Sequence, residues 1–583
     1  MKRTNLKIYI PILIASVALL YACNRSFLQK DPIGSYTPAT VATKAGVTGL
    51  LIGAYSLLDG QGGAGGSWDA AASNWVWGGV CADDAHKGSD PGDQPDIVAL
   101  MTWSESSTNS YNEAKWQTCY DGVQRSNEVL RVMRLATDIN PVDTVEFSAE
   151  ARFLRGHYMF ELKKIFNNIP IIDESITYTL GNWRVENTSD AWPFIEADFK
   201  YAFDNLPGTQ SEVGRANKYA AEAYLAKAYM FEHKYSDALP LLNDLISNGT
   251  NAAGVKYKLV DKFNDNFNAA TKNNSETVFA VQNSVNDGST AANANAGDVL
   301  NFSYDPSAPV SCCGFYQPSF SLANAFKTDP VTGYPLPDTY NNVDLKNDQG
   351  LKSSDPFTPD NTIALDPRLD WTVGRRGIPF LDWGINPGFV FVRNQASGGP
   401  YSPVKNAPYK SQIGILTDKS SWTAGYTALN VNLIRFADVL LWAAEAEVEV
   451  GSLDNAEADV NIVRNRAANP AGFVPGSPAH YFIKPYATGY FTAQGQDVAR
   501  KLVRFERRLE LAMEGHRFFD LVRYGTADTE LAAYVSHEVG SGYTLMAGAT
   551  FKKGQSEYFA IPQGEIDAST VAGKPTLTQN PGY

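Results

Sequence analysis

Apolar side chains fall at helical spacing in two blocks of the chain, one before residue 248 and one after residue 430. In the first block, Val47, Leu50, Leu51, Ala54 and Leu58 predict a helix within Thr40–Leu58, ended by the glycines between Gly60 and Gly66. Trp116, Tyr120, Val123, Val129 and Met133 predict a second over Glu113–Thr137. A third covers Thr144–Phe166 and stops at Asn167-Asn168-Ile169-Pro170. In the second block, helices are predicted over Asn432–Val450 and Val498–Arg523, and the last twenty residues read as loop. The interval from about Asn248 to Asn430 is rich in Asn, Asp, Gly, Ser and Pro. Its short apolar runs, Thr277–Val281 and Phe389–Val392, predict small strands between long loops. So long an irregular stretch inside a globular chain is usually functional.

Two segments share a finer pattern. Ala226 precedes Ala238 by 12 residues, and Ala444 precedes Ala456 by 12, with Tyr235 and Leu453 three residues before the second alanines. Small residues at that separation let the two helices of a hairpin approach closely. The pattern is similar to the helical hairpin of tetratricopeptide repeats, although any tight two-helix hairpin satisfies it.

The N-terminus changes the picture of where the chain resides. Lys2, Arg3 and Lys7 precede an uncharged run from Ile8 to Ala22, which is shorter than the roughly 20 apolar residues that a spanning helix needs. It fits a secretory signal, expected to be removed. The run ends in Leu20-Tyr21-Ala22-Cys23, which resembles the bacterial lipobox, where the cysteine is acylated. Several acyl chains anchor a protein stably, whereas one alone does not. The chain carries a formal net charge of −14, and loss of the three basic residues before Cys23 makes the remainder more acidic. Such a chain repels phosphate backbones, so no nucleic-acid partner is expected. Apolar content of 44% supports a sizeable core, and four cysteines after Cys23 are too few for a disulfide scaffold.

Candidate chemistry is sparse. The sequence holds no HExxH, GxSxG, Walker A or CxxC motif, and its six histidines form no i,i+4 pair. No catalytic residue, metal site or cofactor is therefore assigned. Five of eleven tryptophans lie between Trp68 and Trp116, among Asp69, Asp83, Asp84, Asp90, Asp93 and Asp96. Aromatic faces beside carboxylates suit a sugar, whose C–H face packs on the ring while its hydroxyls donate to the acid. The same residues also read as a core with a solvated loop. A second aromatic and polar group comprises Tyr304, Phe315, Tyr316, Arg375, Arg376, Trp383, Arg393 and Tyr401. Cys312 and Cys313 are adjacent and are read as two reduced side chains rather than a vicinal disulfide. The charged run Glu506, Arg507, Arg508, Glu510, Glu514, Arg517 and Asp520 is read as a partly buried ion-pair lattice that pins a helix.

Arg435-Phe436-Ala437-Asp438-Val439-Leu440-Leu441 with Ala444-Glu445-Ala446, the run Glu506–Leu511 with Glu514–Arg523, and the ending Gln579-Asn580-Pro581-Gly582-Tyr583 resemble the signatures of the SusD/RagB family. Arg152–Gly156 and the start Cys23, Phe27-Leu28, Pro32 resemble its N-terminal pattern. The resemblance implies a mainly α fold: tetratricopeptide-like helical hairpins packed with an irregular, loop-rich half carrying short strands. It also implies the division of the chain: signal 1–22, acylated cysteine and tether 23–37, an N-terminal helical region 38–247 and a C-terminal region 248–583, packed as one globular unit. The implied role is a glycan-capturing surface lipoprotein of the outer membrane, acting as a lid on a SusC-like TonB-dependent barrel transporter and doing no chemistry. Capture of peptides on the same architecture, or a lipidated glycoside hydrolase, are the alternatives. After Cys23 stand Asn24-Arg25-Ser26, where an acidic pair is often linked to surface export.

The family's binding residues lie in variable loops, so the ligand site is chosen on chemistry alone: Trp75, Trp77, Asp83, Asp84, Trp103, Cys312, Arg375 and Tyr401. Cys23 is expected to carry the lipid. Cys23→Ala should move the protein from the membrane to the soluble fraction on cell fractionation; unchanged membrane retention would refute the anchor.

Overall fold

In a computed structural model, residues 38–62 and 68–583 are described; the signal, Cys23 and the tether lie outside them. The chain is mainly helical, with 43% helix and 7% strand. The first helix, α1 (Lys44–Tyr55), starts where the Thr43 side chain accepts the Gly46 N–H. The next two are α2 (Ser110–Met133) and α3 (Pro141–Phe166). Asn109 and Asn140 cap them, each side-chain oxygen accepting two backbone N–H groups of the first turn. These asparagines set starts three residues earlier than the apolar spacing predicts.

Next come α4 (Trp192–Asn205), α5 (Lys218–Phe231) and α6 (Tyr235–Asn248), each packing on the helix before it. The chain then leaves the stack and returns at α7 (Phe436–Val450), which packs directly on α6. α8 (Leu453–Ala468) and α9 (Gln496–Leu511) pack on α7 in turn. The four alanines of the 12-residue spacing, Ala226, Ala238, Ala444 and Ala456, are completely buried. They sit in the hairpins α5–α6 and α7–α8, and their small side chains permit the close approach that the spacing implied.

Between α6 and α7 lies the irregular half. Among the described residues, the strands pair two by two. β1 (Ala85–Gly88) pairs antiparallel with β3 (Phe315–Pro318), His86 opposite Gln317. β2 (Thr277–Val281) pairs antiparallel with β7 (Val431–Arg435), with a bulge near Phe279. β4 (Ala364–Leu365) lies parallel to β8 (His480–Tyr481), and β5 (Val373–Gly374) lies antiparallel to β6 (Ser402–Pro403). The run Phe389–Phe391 is a 3₁₀ turn rather than a strand. Residues 432–435, predicted as helix, belong to β7, because pairing with β2 satisfies their backbone before α7 begins.

The predicted helix Val498–Arg523 is two helices, α9 and α10 (Arg517–Tyr524), separated at residues 512–516. The break has a steric reason. Met513 and Gly515 take left-handed backbone conformations, and Gly515 meets Gly78 of the π-helical turn Trp75–Val80. A Cβ on Gly78 would lie 1.7 Å from the Gly515 carbonyl oxygen, and one on Gly515 1.9 Å from that of Ser73. Only paired glycines permit this contact.

The charged run around Glu510 is a buried lattice. Arg435 donates to Glu276 (2.8 Å), Glu510 and Glu514 (2.9 Å). Arg466 bridges Glu276 and Glu510, and Arg368 reaches Glu510 (2.9 Å), Glu506 (2.7 Å) and Asp366 (2.6 Å). Arg464 pairs with Glu506 and Lys405 with Glu514. Five cations thus meet five carboxylates with no net charge. A satellite group, Arg507, Asp438, Asp520, Arg523 and Glu445, ties α7 to α9 and α10. Burial alone would push the Glu510 carboxyl up; its three arginines overcome that and hold it well below the usual range.

Glu510→Gln leaves three buried guanidinium groups short of a counter-charge and should cost about 3–5 kcal/mol in urea unfolding. Glu530→Gln, at a pair whose carboxylate side chain is 43% exposed, should cost under about 1 kcal/mol. Equal losses would show that the lattice does not carry the fold.

Candidate functional site

Most residues chosen from the sequence lie inside the protein. Trp75 and Trp77 are fully buried, with their indole N–H groups on the Gly297 carbonyl (3.1 Å) and the Asn112 side chain (3.1 Å). Trp103 donates to the Cys81 carbonyl (3.0 Å) and packs edge-on against Phe551. Asp83 receives both arms of Arg517 (2.8 and 3.1 Å) and lies 3.0 Å from Arg508. Against the penalty of burial, these arginines lower its carboxyl to about 2. Asp84, beside it, is pushed up to about 6 by burial and by the Asp83 charge. Arg375 forks onto Asp370 (2.8 and 3.0 Å), and Tyr401 is buried against Phe320. These seven residues are core and lattice, since every polar end already has a partner or is sealed from solvent, and they present nothing to a ligand in this structure. Phe315 and Tyr316 are likewise buried, and Arg376 holds the carbonyls of Lys352, Ser353 and Asp355.

Cys312 is different. It lies half-buried on an exposed loop, joined to Cys313 by a vicinal disulfide, against the expectation of two reduced side chains. The loop 302–314 is closed at its base by the Gly314 N–H on the Phe302 carbonyl (2.9 Å). Val310 and Ser311, just before the disulfide, adopt left-handed backbone conformations that a β-branched residue rarely takes. Such stored strain clusters at ligand sites.

Two other loops meet this one. On one side Arg393 packs its backbone near Gly314, and its guanidinium lies 5.1 Å from the Tyr304 ring centre. Arg393 also donates to Asp93 (2.6 Å) and Ser89 (2.8 Å). On the other side the Thr423 hydroxyl donates to the Val310 carbonyl, and Gly425 fits against Phe302. That loop carries Trp422, which is 61% exposed and donates its indole N–H to the Tyr426 hydroxyl (3.1 Å), its ring edge-on to the tyrosine. Asp418 anchors the loop by accepting the N–H groups of Ser420 and Ser421.

The three loops therefore present two aromatic groups, Tyr304 with Arg393 and Trp422 with Tyr426, around the disulfide. A single exposed apolar residue is ordinary on a protein surface; what marks this one is the flat indole held edge-on to a second ring on a polar loop, a shape that suits a sugar. Of the eight residues chosen for the site only Cys312 lies here, joined by Tyr304 and Arg393 of the second aromatic and polar group. Trp422 and Tyr426 were missed; their signal was Ser420-Ser421-Trp422-Thr423-Ala424-Gly425-Tyr426, aromatics in a polar stretch with no helical or strand period to bury them. Among the described residues no group of three or more His, Cys, Asp or Glu side chains could hold a metal ion, and no helix is long and apolar enough to cross a membrane.

The chain is similar to known proteins over most of its length. Residues 275–583 match the model of the SusD family, and residues 86–230 match a second SusD-like model, described as starch-binding associating with outer membrane. A SusD-like protein of Bacteroides ovatus is 24% identical over 530 residues, covering 88% of this chain and 82% of that protein. SusD-like protein P2 of Formosa agariphila is 22% identical over 582 residues, covering 97% and 98%. Among solved structures, a laminarin binding SusD-like protein superposes with a TM-score of 0.65 at 23% identity, covering 93% of this chain and all of that one. A surface glycan-binding protein A from Bacteroides thetaiotaomicron in complex with laminarihexaose superposes at 0.61 and 19% identity, covering 92% and 99%.

Trp103→Ala should remove a buried ring and lower stability by about 3–5 kcal/mol in thermal or urea unfolding. A melting temperature within a few degrees of the parent would return Trp103 to the list of ligand contacts.

Proposed function

The chain belongs to the SusD/RagB family, and we propose that it is a cell-surface lipoprotein that captures oligosaccharide and hands it to a SusC-like TonB-dependent barrel. Cys23 holds it to the outer membrane, outward-facing, and residues 24–37 act as the tether on which it swings as a lid. The observation that carries the ligand class is the exposed Trp422, edge-on to Tyr426, on a loop that bonds to the disulfide loop carrying Tyr304. A pyranose lays its C–H face on the indole, and its hydroxyls find a donor in Arg393 and an acceptor in Asp93, both partly exposed. Arginine's fixed fork suits adjacent hydroxyls. Solved structures named for binding laminarin and laminarihexaose support the same ligand class.

Capture rather than catalysis fits the carboxylates. Glycoside cleavage needs two acids flanking the bond, one of them kept protonated. On this face Asp93 is paired with Arg393, and the acids of the signature motifs are locked in buried ion pairs. Incubating the protein with oligosaccharides and recovering shortened products would overturn the binding-only reading.

Trp422→Ala should weaken retention of the bound polysaccharide in affinity gels by about fivefold, the worth of roughly one aromatic contact. Because the ring is largely exposed, the melting temperature should stay within a few degrees. Undiminished retention would remove the loop face as the site.

A further inference from the structure

A second cleft, sharing no residue with the loop face, lies along α2. Its volume is about 900 Å³, within the range of ligand sites. One wall is a row of polar side chains on a single helix face: Gln117, Asp121, Gln124 and Glu128. The spacing of four, three and four residues keeps them in line for about 17 Å at 1.5 Å per residue. The opposite wall is the loop that follows α3. Its backbone is pinned to α2 at three points: the Tyr120 hydroxyl on the Pro170 carbonyl (2.8 Å), Asn127 on that of Ile172 (3.0 Å), and Arg131 on those of Glu174 and Ile176. Asn182 closes the tip, accepting the Thr177 N–H and donating to the Ser175 carbonyl.

That tip holds an aromatic pair. Tyr178 and Trp183 have ring centres 5.3 Å apart, inclined at 46°. Arg184 lies 3.7 Å from the Trp183 ring centre and braces it. Tyr178 is 78% exposed. The cleft thus sets hydrogen-bonding amides and carboxylates along one side and aromatic faces on the other.

We infer that this cleft is a second oligosaccharide-binding site, taking an extended neutral glycan. The chemistry discriminates among occupants. Asp121 and Glu128 are each paired with an arginine of the same helix, Arg125 (3.0 Å) and Arg131 (2.9 Å), so the row is polar but carries no net charge to draw in an ionic ligand. A purely apolar protein segment would strip water from those part-exposed ion pairs and return no hydrogen bonds, which is costly. A neutral glycan offers what both walls need, hydroxyls to the acids and amides and C–H faces to the rings. Two sites on one chain would raise the effective affinity for a long polysaccharide far above that of either alone, provided the polymer can span both. The inference rests on the glycan-binding reading of this protein.

The test uses the mature lipoprotein in detergent and a panel of soluble polysaccharides: laminarin, xylan and mannan. For whichever is retained in affinity gels, a six-sugar fragment is titrated by calorimetry. We expect two fragments per protein chain. Trp422→Ala should weaken one of the two by about fivefold. The double variant Tyr178→Ala/Trp183→Ala, and independently Gln124→Ala on the opposite wall, should weaken the other by about tenfold and loosen polymer retention. A stoichiometry of one, weakened by Trp422→Ala and untouched by the cleft variants, would overturn the second site and leave the loop face standing. A stoichiometry of one lost only in the cleft variants would overturn the two-site claim and move the ligand from the loop face to the cleft. Retention of no polysaccharide would overturn both readings. Unchanged glycan binding with lost co-purification of a membrane barrel would show that the aromatic pair serves a protein contact instead.

Discussion

Everything in this fold hangs on a neutral lattice of buried charges centred on Glu510. Its members come from distant parts of the chain: Glu276 from just before β2, Arg368 from the irregular half, Arg435 from the end of β7, Arg466 from α8, and Glu506, Glu510 and Glu514 from α9 and its end. Each charge taken from water costs several kcal/mol, and the partners return that energy only when all are in place. A lattice of this kind is a poor source of net stability but a stringent test of geometry. It fixes where the helical stack resumes after the excursion between α6 and α7, and so where the loops of that excursion stand.

The lattice also explains which parts of the sequence were legible. Helices α1, α2, α3 and α7 showed through their apolar period, and the alanine spacing anticipated both close hairpins. Motif residues such as Arg435, Glu506, Arg507 and Asp520 resembled a family because they are the lattice and its satellite. The break between α9 and α10 was invisible, since the apolar period runs through it. What decides it is the contact of Gly515 with Gly78, more than four hundred residues away, and local pattern carries no such information.

The binding face was much less legible, and the reason is physical. Trp75, Trp77 and Trp103 share composition with a sugar platform: aromatic rings next to carboxylates. Whether an indole faces water depends on whether a backbone carbonyl or amide inside the fold takes its N–H. For all three, one does. The aspartates beside them were taken up in the same way, Asp83 by two arginines that lie beyond residue 500. Trp422 went unremarked because a single aromatic in a polar loop has no period. That lack of period is what keeps it exposed, with its N–H turned to Tyr426 in the same loop.

The contact between Gly78 and Gly515 sets an order of events. The turn Trp75–Val80 can reach its final place only against residues near the far end of the chain, and His86 reaches its partner Glu538 later still. The closing residue, Tyr583, bonds back to Glu105. A chain made N-terminus first must therefore hold its earliest tryptophans unfinished until Gly515 and its neighbours are present. So high a separation between contacting segments slows folding and leaves apolar surface open to aggregation in the meantime. Trimming the C-terminal segment would therefore disturb the tryptophan-rich N-terminal core as surely as a mutation within it.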